Sequence, residues 1–398
     1  MKQKKFLGTR LKMAMQFRGL GVTDLAKKVN LSKQSISLYA NDDNVPPYEN
    51  ILKLAHALDF PYEFFMTEDR CQTVTDNTYF RSQASATKKE RQAQSVKLEY
   101  VAKMYEVLLN YVDFPALDLP NVDFIGTDNQ EEYDSGEVTK EIEEISLAVR
   151  RYWNLGLEPI ENLQLLLEKH GIILTGFSAI NDKIDAFSQR IRVNKGIYMY
   201  IVALVLGHKP MQRLRFDMAH ELGHVLLHPW GDINESLSKE EFNGREKQAN
   251  MFASAFLLPK ETFGKDVSAY PLDLEYYAAL KKKWNMSMQA MMYRTRQLEI
   301  ISTNQFLYLM RQISKRGWRT LEPGDVPGSM HETIFQSAIG MLFEKGYLDA
   351  RTLMREFANY GIILQSKDIE NLLQLREGTL KTNSDIISIV NIKQNIRG

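Results

Sequence analysis

Cysteine is almost absent from the chain, since Cys71 is the only one among 398 residues. A single cysteine cannot form an intramolecular disulfide bond, so the fold does not depend on an oxidising compartment and a cytoplasmic location is expected. Net charge is also absent, because 50 Lys and Arg residues balance 50 Asp and Glu residues. Any affinity for nucleic acid must therefore come from a local patch of charge rather than from the whole molecule.

The chain also lacks a long hydrophobic run. The longest apolar segment, residues 197–207, has about half of the ~20 residues that a transmembrane helix needs, and we interpret it as a buried strand. The basic N-terminus passes into a segment in which polar residues interrupt the apolar ones, so we expect no secretory signal. No contact with a membrane is therefore predicted.

The first 66 residues have the spacing of short amphipathic helices. Apolar residues recur at helical intervals from residue 7 to 15, and residues 23–29 form a second short helix. Ser32 stands where the N-cap of a third helix is expected, and residues 33–39 would then bury Ile36. The residues that this third helix leaves exposed are Lys33, Gln34, Ser35 and Ser37. The pattern predicts a helix-turn-helix unit, and the alternative is a helical bundle with no role on DNA.

Two segments carry a family resemblance, LGTRLKMAMQFRGLGVTDLAKKVNLSKQSISLY at residues 7–39 and NILKLAHALDF at residues 50–60. They resemble the Xre/Cro repressor family of DNA-binding proteins. The resemblance implies double-stranded DNA as a partner, and it implies a homodimer, because one small reader contacts few bases. Ala40 and Asp42 stand where the family usually has Glu and Gly. By the resemblance, base edges would meet Gln34, Ser35 and Ser37, and phosphates would meet Ser32 and Lys33.

Local charge moderately supports the prediction that the first 66 residues bind DNA. Residues 1–66 hold ten Lys and Arg residues against six Asp and Glu residues.

The strongest chemical motif is H-E-x-x-H at residues 220–224. His220 and His224, four residues apart on a helix, lie on one face and can bind a single Zn²⁺. Glu221 is placed to accept a proton from a water molecule that the metal acidifies. A catalytic zinc site needs a third protein ligand and an open fourth position, whereas a structural zinc site, the alternative here, usually closes four ligands and favours Cys.

The third ligand must come from elsewhere in the chain. His228 would stand about 12 Å from His220 along a straight helix, too far to share the ion, and we interpret it as a helix-end residue. Glu246 lies on a predicted helix at residues 245–258, on the same face as the small residues Ala249 and Ala253. These would let this helix pack close to the histidine helix. Taken alone, Glu246 would be a solvated charge at a helix start.

A second resemblance rests on RLRFDMAHELGHVLLHP at residues 213–229 and EKQANMFASAFLLP at residues 246–259. These segments resemble the ImmA/IrrE family of zinc metallopeptidases. The resemblance implies zinc held by His220, His224 and Glu246, with Glu221 as the catalytic carboxylate. Members often have a further Glu where this chain has Gln248, and a site that used that Glu as its ligand would be impaired here.

A basic stretch with aromatic neighbours follows these motifs. It is either a second nucleic-acid surface or, as is more common, a solvated helix face. Its residues are Arg294, Arg296, Arg311, Lys315, Arg316 and Arg319, near Tyr293 and Trp318.

The predicted fold class is a multidomain chain: an all-α helix-turn-helix bundle, an α+β zincin-like peptidase domain and a C-terminal helical region. The predicted domains are the helix-turn-helix domain at residues 1–66, a linker and helical connector at 67–140, the metallopeptidase domain with a helical extension at 141–312, and a helical module at 313–398. The connector is polar at residues 67–94, with room for one surface strand, and residues 95–111 have a helical stripe.

Two functions follow from these motifs. The first is a DNA-binding regulator with a zinc metallopeptidase that cuts a repressor, an antitoxin or itself. The second is a transcription factor in which the peptidase fold serves as a sensor or a dimerisation unit without proteolysis. A role in a toxin and antitoxin pair would need partner data, since no residue supports it.

Overall fold

The computed structural model describes residues 5–71, 73–80, 87–125, 135–178, 186–193, 196–207, 209–228, 230 and 238–381. Within these residues a helical N-terminal region is followed by an α+β region with a small sheet and by further helices. The multidomain fold class predicted from the sequence is thereby confirmed. A search of the described helices finds none that is long and apolar enough to cross a bilayer.

The N-terminal region consists of short helices around a small core. Its core contains Leu11, Leu25, Ile36 and Leu54, which are fully buried. Asn30 ends the second helix with a φ of 54°, a left-handed conformation that Asn tolerates, and so turns the chain into the third. The elements are α1 (Gly8–Phe17), α2 (Val22–Val29), α3 (Lys33–Ala40), α4 (Tyr48–Leu58) and a 3-10 helix (Tyr62–Met66).

Four described strands form one mixed sheet. They are β1 (Thr73–Phe80), β2 (Ile173–Ser178), β3 (Ala186–Val193) and β4 (Tyr198–Leu206), in the spatial order β1-β3-β4-β2. β1 and β4 both pair with β3 in antiparallel fashion, whereas β2 pairs with β4 in parallel. The apolar runs near residues 172–174 and 197–206 are therefore strands, as expected.

The sequence reasoning missed β3 and understated β1. β3 has no hydrophobic run, because its apolar residues are interrupted by Ser188, Gln189, Arg190 and Arg192. β1 lies within the polar segment that was predicted as a linker, at an edge of the sheet. Strand pairing uses main-chain groups, and an edge strand needs little apolar content, which explains why composition alone did not reveal these strands.

The remaining described elements are helices. They are α5 (Lys88–Leu108), α6 (Gly136–Tyr152), α7 (Leu163–Lys169), α8 (Met211–Leu227), α9 (Lys239–Leu257), α10 (Lys260–Val267), α11 (Leu274–Trp284), α12 (Met288–Gln297), α13 (Thr303–Lys315), α14 (Ile334–Glu344), α15 (Ala350–Asn359) and α16 (Ser366–Leu373). Several begin with side-chain caps, and the capping box of Ser238 and Glu241 at α9 is one example.

The sheet is covered on both faces. Alternate residues of a strand point to opposite sides, and here the two sides belong to different cores. Ile191 and Ile201 join a core that includes the N-terminal helices, α5 and the helices α14 to α16. Val202 and Leu204 join the other core, which includes residues of α8, α9 and α12. The helices α8 and α9, which carry the H-E-x-x-H motif and Glu246, therefore lie on one side of the sheet, and the helix-turn-helix unit lies on the other.

The C-terminal helices contact both the sheet and the helix-turn-helix unit. The buried hydroxyl of Thr175 in β2 donates to the carbonyl oxygen of Leu372 at 2.6 Å. On the other side, Arg18 of the N-terminal region forms a two-pronged ion pair with Asp368, at 2.8 and 2.5 Å. The C-terminal helices thus join the N-terminal helices to the sheet through polar bonds and shared apolar burial.

Glu168, at the end of α7, is a buried carboxyl group in this arrangement. It is 1% exposed and accepts a hydrogen bond from the main-chain N–H of Ile334. Burial raises the pKa of Glu168 to about 7, and the hydrogen bonds of Ile334 and Gln164 oppose that rise only in part. Because the folded state favours the protonated form, stability that is present below pH ~4.3, the pKa of an ordinary Glu, is lost as the pH rises through about 7.

Glu168→Gln should therefore remove a pH-dependent loss of stability. We expect the variant to gain stability relative to wild type between pH 5 and pH 8. The gain in the free energy of unfolding should be of order 2 kcal/mol and should appear as a higher apparent melting temperature at pH 8. Thermal unfolding followed by circular dichroism at both pH values measures this. Glu161→Gln, an exposed neighbour, is the control; equal behaviour of the two variants would contradict the prediction.

Candidate metal centre and recognition helix

The two histidines of the H-E-x-x-H motif lie in the interior on α8. His220 is 0% exposed and His224 is 1% exposed. They reach the interior because α8 packs closely against α9. A Cβ atom on Gly223 would lie 3.1 Å from the Cα of Ala249 in α9, so only a residue without a side chain fits there comfortably. The small residues predicted on α9 thus meet a glycine on α8 that the sequence reasoning did not single out.

Glu246 of α9 completes a group of three. Its carboxylate oxygens lie 3.4 Å from Nε2 of His220 and 3.2 Å from Nε2 of His224. The two Nε2 atoms are 3.0 Å apart, and the three donor atoms lie within 4.8 Å of one another. A tetrahedral zinc ion with bonds of 2.0–2.1 Å separates its ligands by about 3.3 Å. The donor set and its spacing fit zinc.

An outer hydrogen bond orients the His220 ring. Nδ1 of His220 is 3.0 Å from the amide oxygen of Asn250, which can only accept. His220 must therefore carry its proton on Nδ1, and the Nε2 that faces Glu246 has a lone pair. Metal-binding histidines commonly make such a bond to an outer acceptor. Asn250 was not predicted, although its position one turn after Glu246 was a signal for it.

A chain of hydrogen bonds orients His224 in the same way. Nε2 of His228 lies 3.1 Å from the amide oxygen of Gln248, so His228 donates from that nitrogen. Burial lowers the pKa of His228 well below its usual range, which keeps the ring neutral and makes its Nδ1 an acceptor. Nδ1 of His224 lies 2.8 Å from that acceptor and must donate to it. The lone pair of His224 therefore also lies on Nε2.

The hydrogen bonds around His224 give the positions of two residues whose roles the sequence left open, His228 and Gln248. His228 is the C-cap of α8, as expected for a helix-end residue, and it contacts Nδ1 of His224 without being a member of the group of three. Gln248 contacts His228. Members of the ImmA/IrrE family often have a second Glu at this position. In this chain Gln248 stands there and takes part in the outer hydrogen bonds.

The charge of Glu246 suits this environment. Burial alone would raise the pKa of Glu246, but positive charge at this position outweighs burial: with His220 and His224 protonated beside it, the pKa of Glu246 falls to about 2. Glu246 is consequently ionised at neutral pH and offers a negative ligand. Glu221 follows His220 on α8 and is 0% exposed, but it is not one of the three converging groups.

The predicted recognition residues lie together on α3. The hydroxyl oxygen of Ser32 caps the helix by accepting from the main-chain N–H of Ser35 at 3.0 Å. Ile36 is fully buried and holds the helix against the N-terminal core. The hydroxyl groups of Ser32 and Ser35 are also 2.8 Å apart. The exposed residues include Ser32, Lys33, Gln34 and Ser37, and Ser35 is partly exposed.

Asp42, which stands where related chains usually have Gly, has a specific structural role. Its φ is 61°, in the left-handed region that favours glycine and that Asp tolerates better than most residues. Its carboxylate accepts a hydrogen bond of 2.7 Å from the main-chain N–H of Gly8, at the start of α1. This bond gives Asp42 a partner within the domain, at the N-terminal end of a helix that favours negative charge.

These observations describe an exposed helix that follows a tight turn and, separate from it, a group of three side chains that could hold a metal ion. Comparison with family models agrees: residues 11–65 match the helix-turn-helix family, and residues 168–296 match the peptidase M78 family, described as an IrrE N-terminal-like domain. The chain thus joins an Xre/Cro-like helix-turn-helix region to an ImmA/IrrE-like, metallopeptidase-like domain, which confirms both resemblances. A search of the curated proteins finds no match.

The geometry distinguishes Glu246 from Gln248 as the third zinc ligand, because only Glu246 lies next to both histidines. Glu246→Gln should lower zinc affinity by about tenfold or more, since it removes the negative donor, whereas Gln248→Ala should keep about one zinc ion per chain and lose affinity less. Competition with a chromophoric chelator measures both affinities. Equal losses in the two variants, or full retention in Glu246→Gln, would contradict the assignment.

Proposed function

We propose that the chain is a DNA-binding regulator whose second domain is a zinc-dependent metallopeptidase. Its substrate would be a peptide bond in a repressor, an antitoxin or the chain itself. The observation that supports the peptidase most is the convergence of two imidazole nitrogens and the Glu246 carboxylate, which are three protein donors rather than four among the residues that the structure describes. Three protein ligands leave a position open for a water molecule or substrate, as in catalytic zinc sites.

The roles of the side chains follow from their chemistry. His220, His224 and Glu246 would hold zinc, which when bound polarises a scissile carbonyl group and acidifies water. Glu221 would accept a proton from the attacking water and then deliver it to the leaving amine nitrogen. Asn250 and the pair of His228 and Gln248 keep both histidines in the tautomer that presents Nε2.

The alternative, a transcription factor that uses the peptidase fold only as a sensor or a dimerisation unit, depended on Gln248 replacing a ligand. Gln248 contacts His228, while Glu246 is the acid next to both histidines. No described contact favours the alternative over proteolysis, and it remains the second outcome of the experiment below.

Glu221→Gln tests the peptidase directly. We expect cleavage of the substrate to fall by at least about 10²-fold, because an amide cannot accept the proton, while zinc content stays unchanged. Purified wild-type protein and the variant are incubated with the proteins encoded by neighbouring genes, and intact chains are weighed by mass spectrometry. Glu240→Gln, an exposed substitution on α9, is the control. Cleavage at the wild-type rate by Glu221→Gln would refute the proposal.

The proposed DNA-binding role places α3 in the major groove. Two copies of the chain, each on a half-site, would supply the sequence specificity that one small domain lacks. In this arrangement Gln34, Ser35 and Ser37 read base edges, and Ser32 and Lys33 bind phosphate groups.

Substitutions on α3 should separate the two kinds of contact. On the duplex that wild-type protein selects from a random-sequence library, Gln34→Ala should weaken binding by roughly tenfold, about 1–3 kcal/mol. Lys33→Ala should instead reduce the slope of log affinity against log salt by about 1. Fluorescence anisotropy across a salt series measures both, with Lys53→Ala on α4 as the control. If wild-type protein selects no sequence, the DNA-reading assignment is wrong.

A further inference from the structure

A cavity of about 590 Å³ is lined in part by residues of α8 and α9, the two helices that carry the metal-ligating group. On α8, Arg213 and Asp217 precede His220 on the same helical face. On α9, Asn250 and Ser254 follow Glu246 at intervals of one turn. The far side of the cavity is formed by the start of α12 and by Arg319. Its volume lies in the range of small-molecule sites, about 300–1,000 Å³.

The cavity has an excess of positive charge. Its cationic lining residues are Lys209, Arg213 and Arg319, and its one acidic lining residue is Asp217. Asp217 is buried and forms an ion pair with Lys209 at 2.8 Å, which neutralises one cation. The guanidinium groups of Arg213 and Arg319 account for the remaining positive charge of the lining.

Neither arginine has an acidic partner among the described residues. Arg213 donates to the main-chain carbonyl oxygen of Arg319 at 2.6 Å, and Arg319 donates to the hydroxyl of Ser314 at 2.7 Å. Each guanidinium group carries five donors, so one neutral contact leaves capacity for an anion. Arginine also binds carboxylate and phosphate groups in a two-pronged geometry.

The helix end at the cavity is already satisfied. The main-chain N–H groups of Met288 and Gln289, at the start of α12, donate to the carboxylate of Glu322 at 2.7 and 3.1 Å. Glu322 also forms a buried ion pair with Lys281 at 2.9 Å. An anion in the cavity would therefore be held by the two arginines rather than by the helix N-terminus.

The rest of the lining suits a flat organic group. Phe216 and Tyr293 supply aromatic surface, and amide or hydroxyl groups come from Asn250, Gln289, Gln297 and Ser254. We propose that this cavity binds a small organic anion, a carboxylate or phosphate attached to an aromatic ring, with Arg213 and Arg319 as the anion-binding residues. The cavity also explains part of the basic stretch that the sequence showed near Arg319 and Tyr293.

The position of the cavity gives such a ligand a route to the metal centre. Asn250 lines the cavity and also accepts from Nδ1 of His220 at 3.0 Å. A ligand that contacts the Asn250 amide acts on the residue that orients a histidine of the metal-ligating group. The ligand site itself depends on neither zinc nor proteolysis.

The test uses phenyl phosphate as the probe, with the full chain and constant ionic strength. Isothermal titration calorimetry should show saturable binding, weakened about tenfold or more in Arg213→Gln and in Arg319→Gln, each of which removes a charged donor. Inorganic phosphate and phenylacetate, run in parallel, tell phosphate from carboxylate recognition and measure the contribution of the ring. Phenol, which lacks the charge, should not bind measurably.

The control is Arg311→Gln, an exposed arginine of the same basic stretch that lies outside the cavity. It should bind phenyl phosphate as wild type does. Because Arg319 is exposed, its substitution keeps the test valid if Arg213→Gln fails to fold. Absence of saturable binding by every anion would overturn the proposal. So would binding that persists in both arginine variants and disappears when zinc is removed, since the anion would then be on the metal. Loss of peptidase activity alone would bear only on the proposed function.

Discussion

The candidate metal-ligating group of His220, His224 and Glu246 depends on one close approach between two helices. Gly223 allows α8 to lie against α9 at Ala249, where a Cβ atom would be 3.1 Å from the neighbouring Cα. That approach brings the Glu246 carboxylate to both imidazoles across the interface. If the helices stood further apart, the two histidines would still share a face of α8, but no acid from α9 would reach them.

The outer hydrogen bonds decide which nitrogen of each histidine carries the proton. A neutral imidazole has one donor nitrogen and one acceptor nitrogen, so the partner at Nδ1 decides what Nε2 can do. Asn250 fixes the tautomer of His220, and the pair of His228 and Gln248 fixes the tautomer of His224. The protein thus gives two buried rings the same tautomer by two different routes, one direct and one through a third ring.

The sequence was most informative where interactions are local. Helical periodicity alone was enough to predict that His220 and His224 share one face, and Ser32 was recognisable as an N-cap. Local patterns also predicted most of the helices. The acidic member of the group was predictable from the face it shares with Ala249, although its metal-binding role, like that of the other site residues, stays a prediction.

The sequence was least informative where partners are distant along the chain. β1 is a polar segment that becomes a strand only by pairing with β3, more than a hundred residues later. The contact of Thr175 with Leu372 and that of Arg18 with Asp368 join segments whose spacing carries no periodic signal. His228 was correctly placed at a helix end, but its bond to Gln248 required the approach of a second helix.

The two-sided sheet has a consequence for how the chain can be divided. Ile191 and Ile201 lie in the core of the N-terminal and C-terminal helices, while Val202 and Leu204 lie in the core that carries the histidine helix. A fragment cut between the two motifs would leave one apolar surface of the sheet in contact with water and prone to aggregate. An exchange of one half for another domain must therefore also supply a surface complementary to these strands.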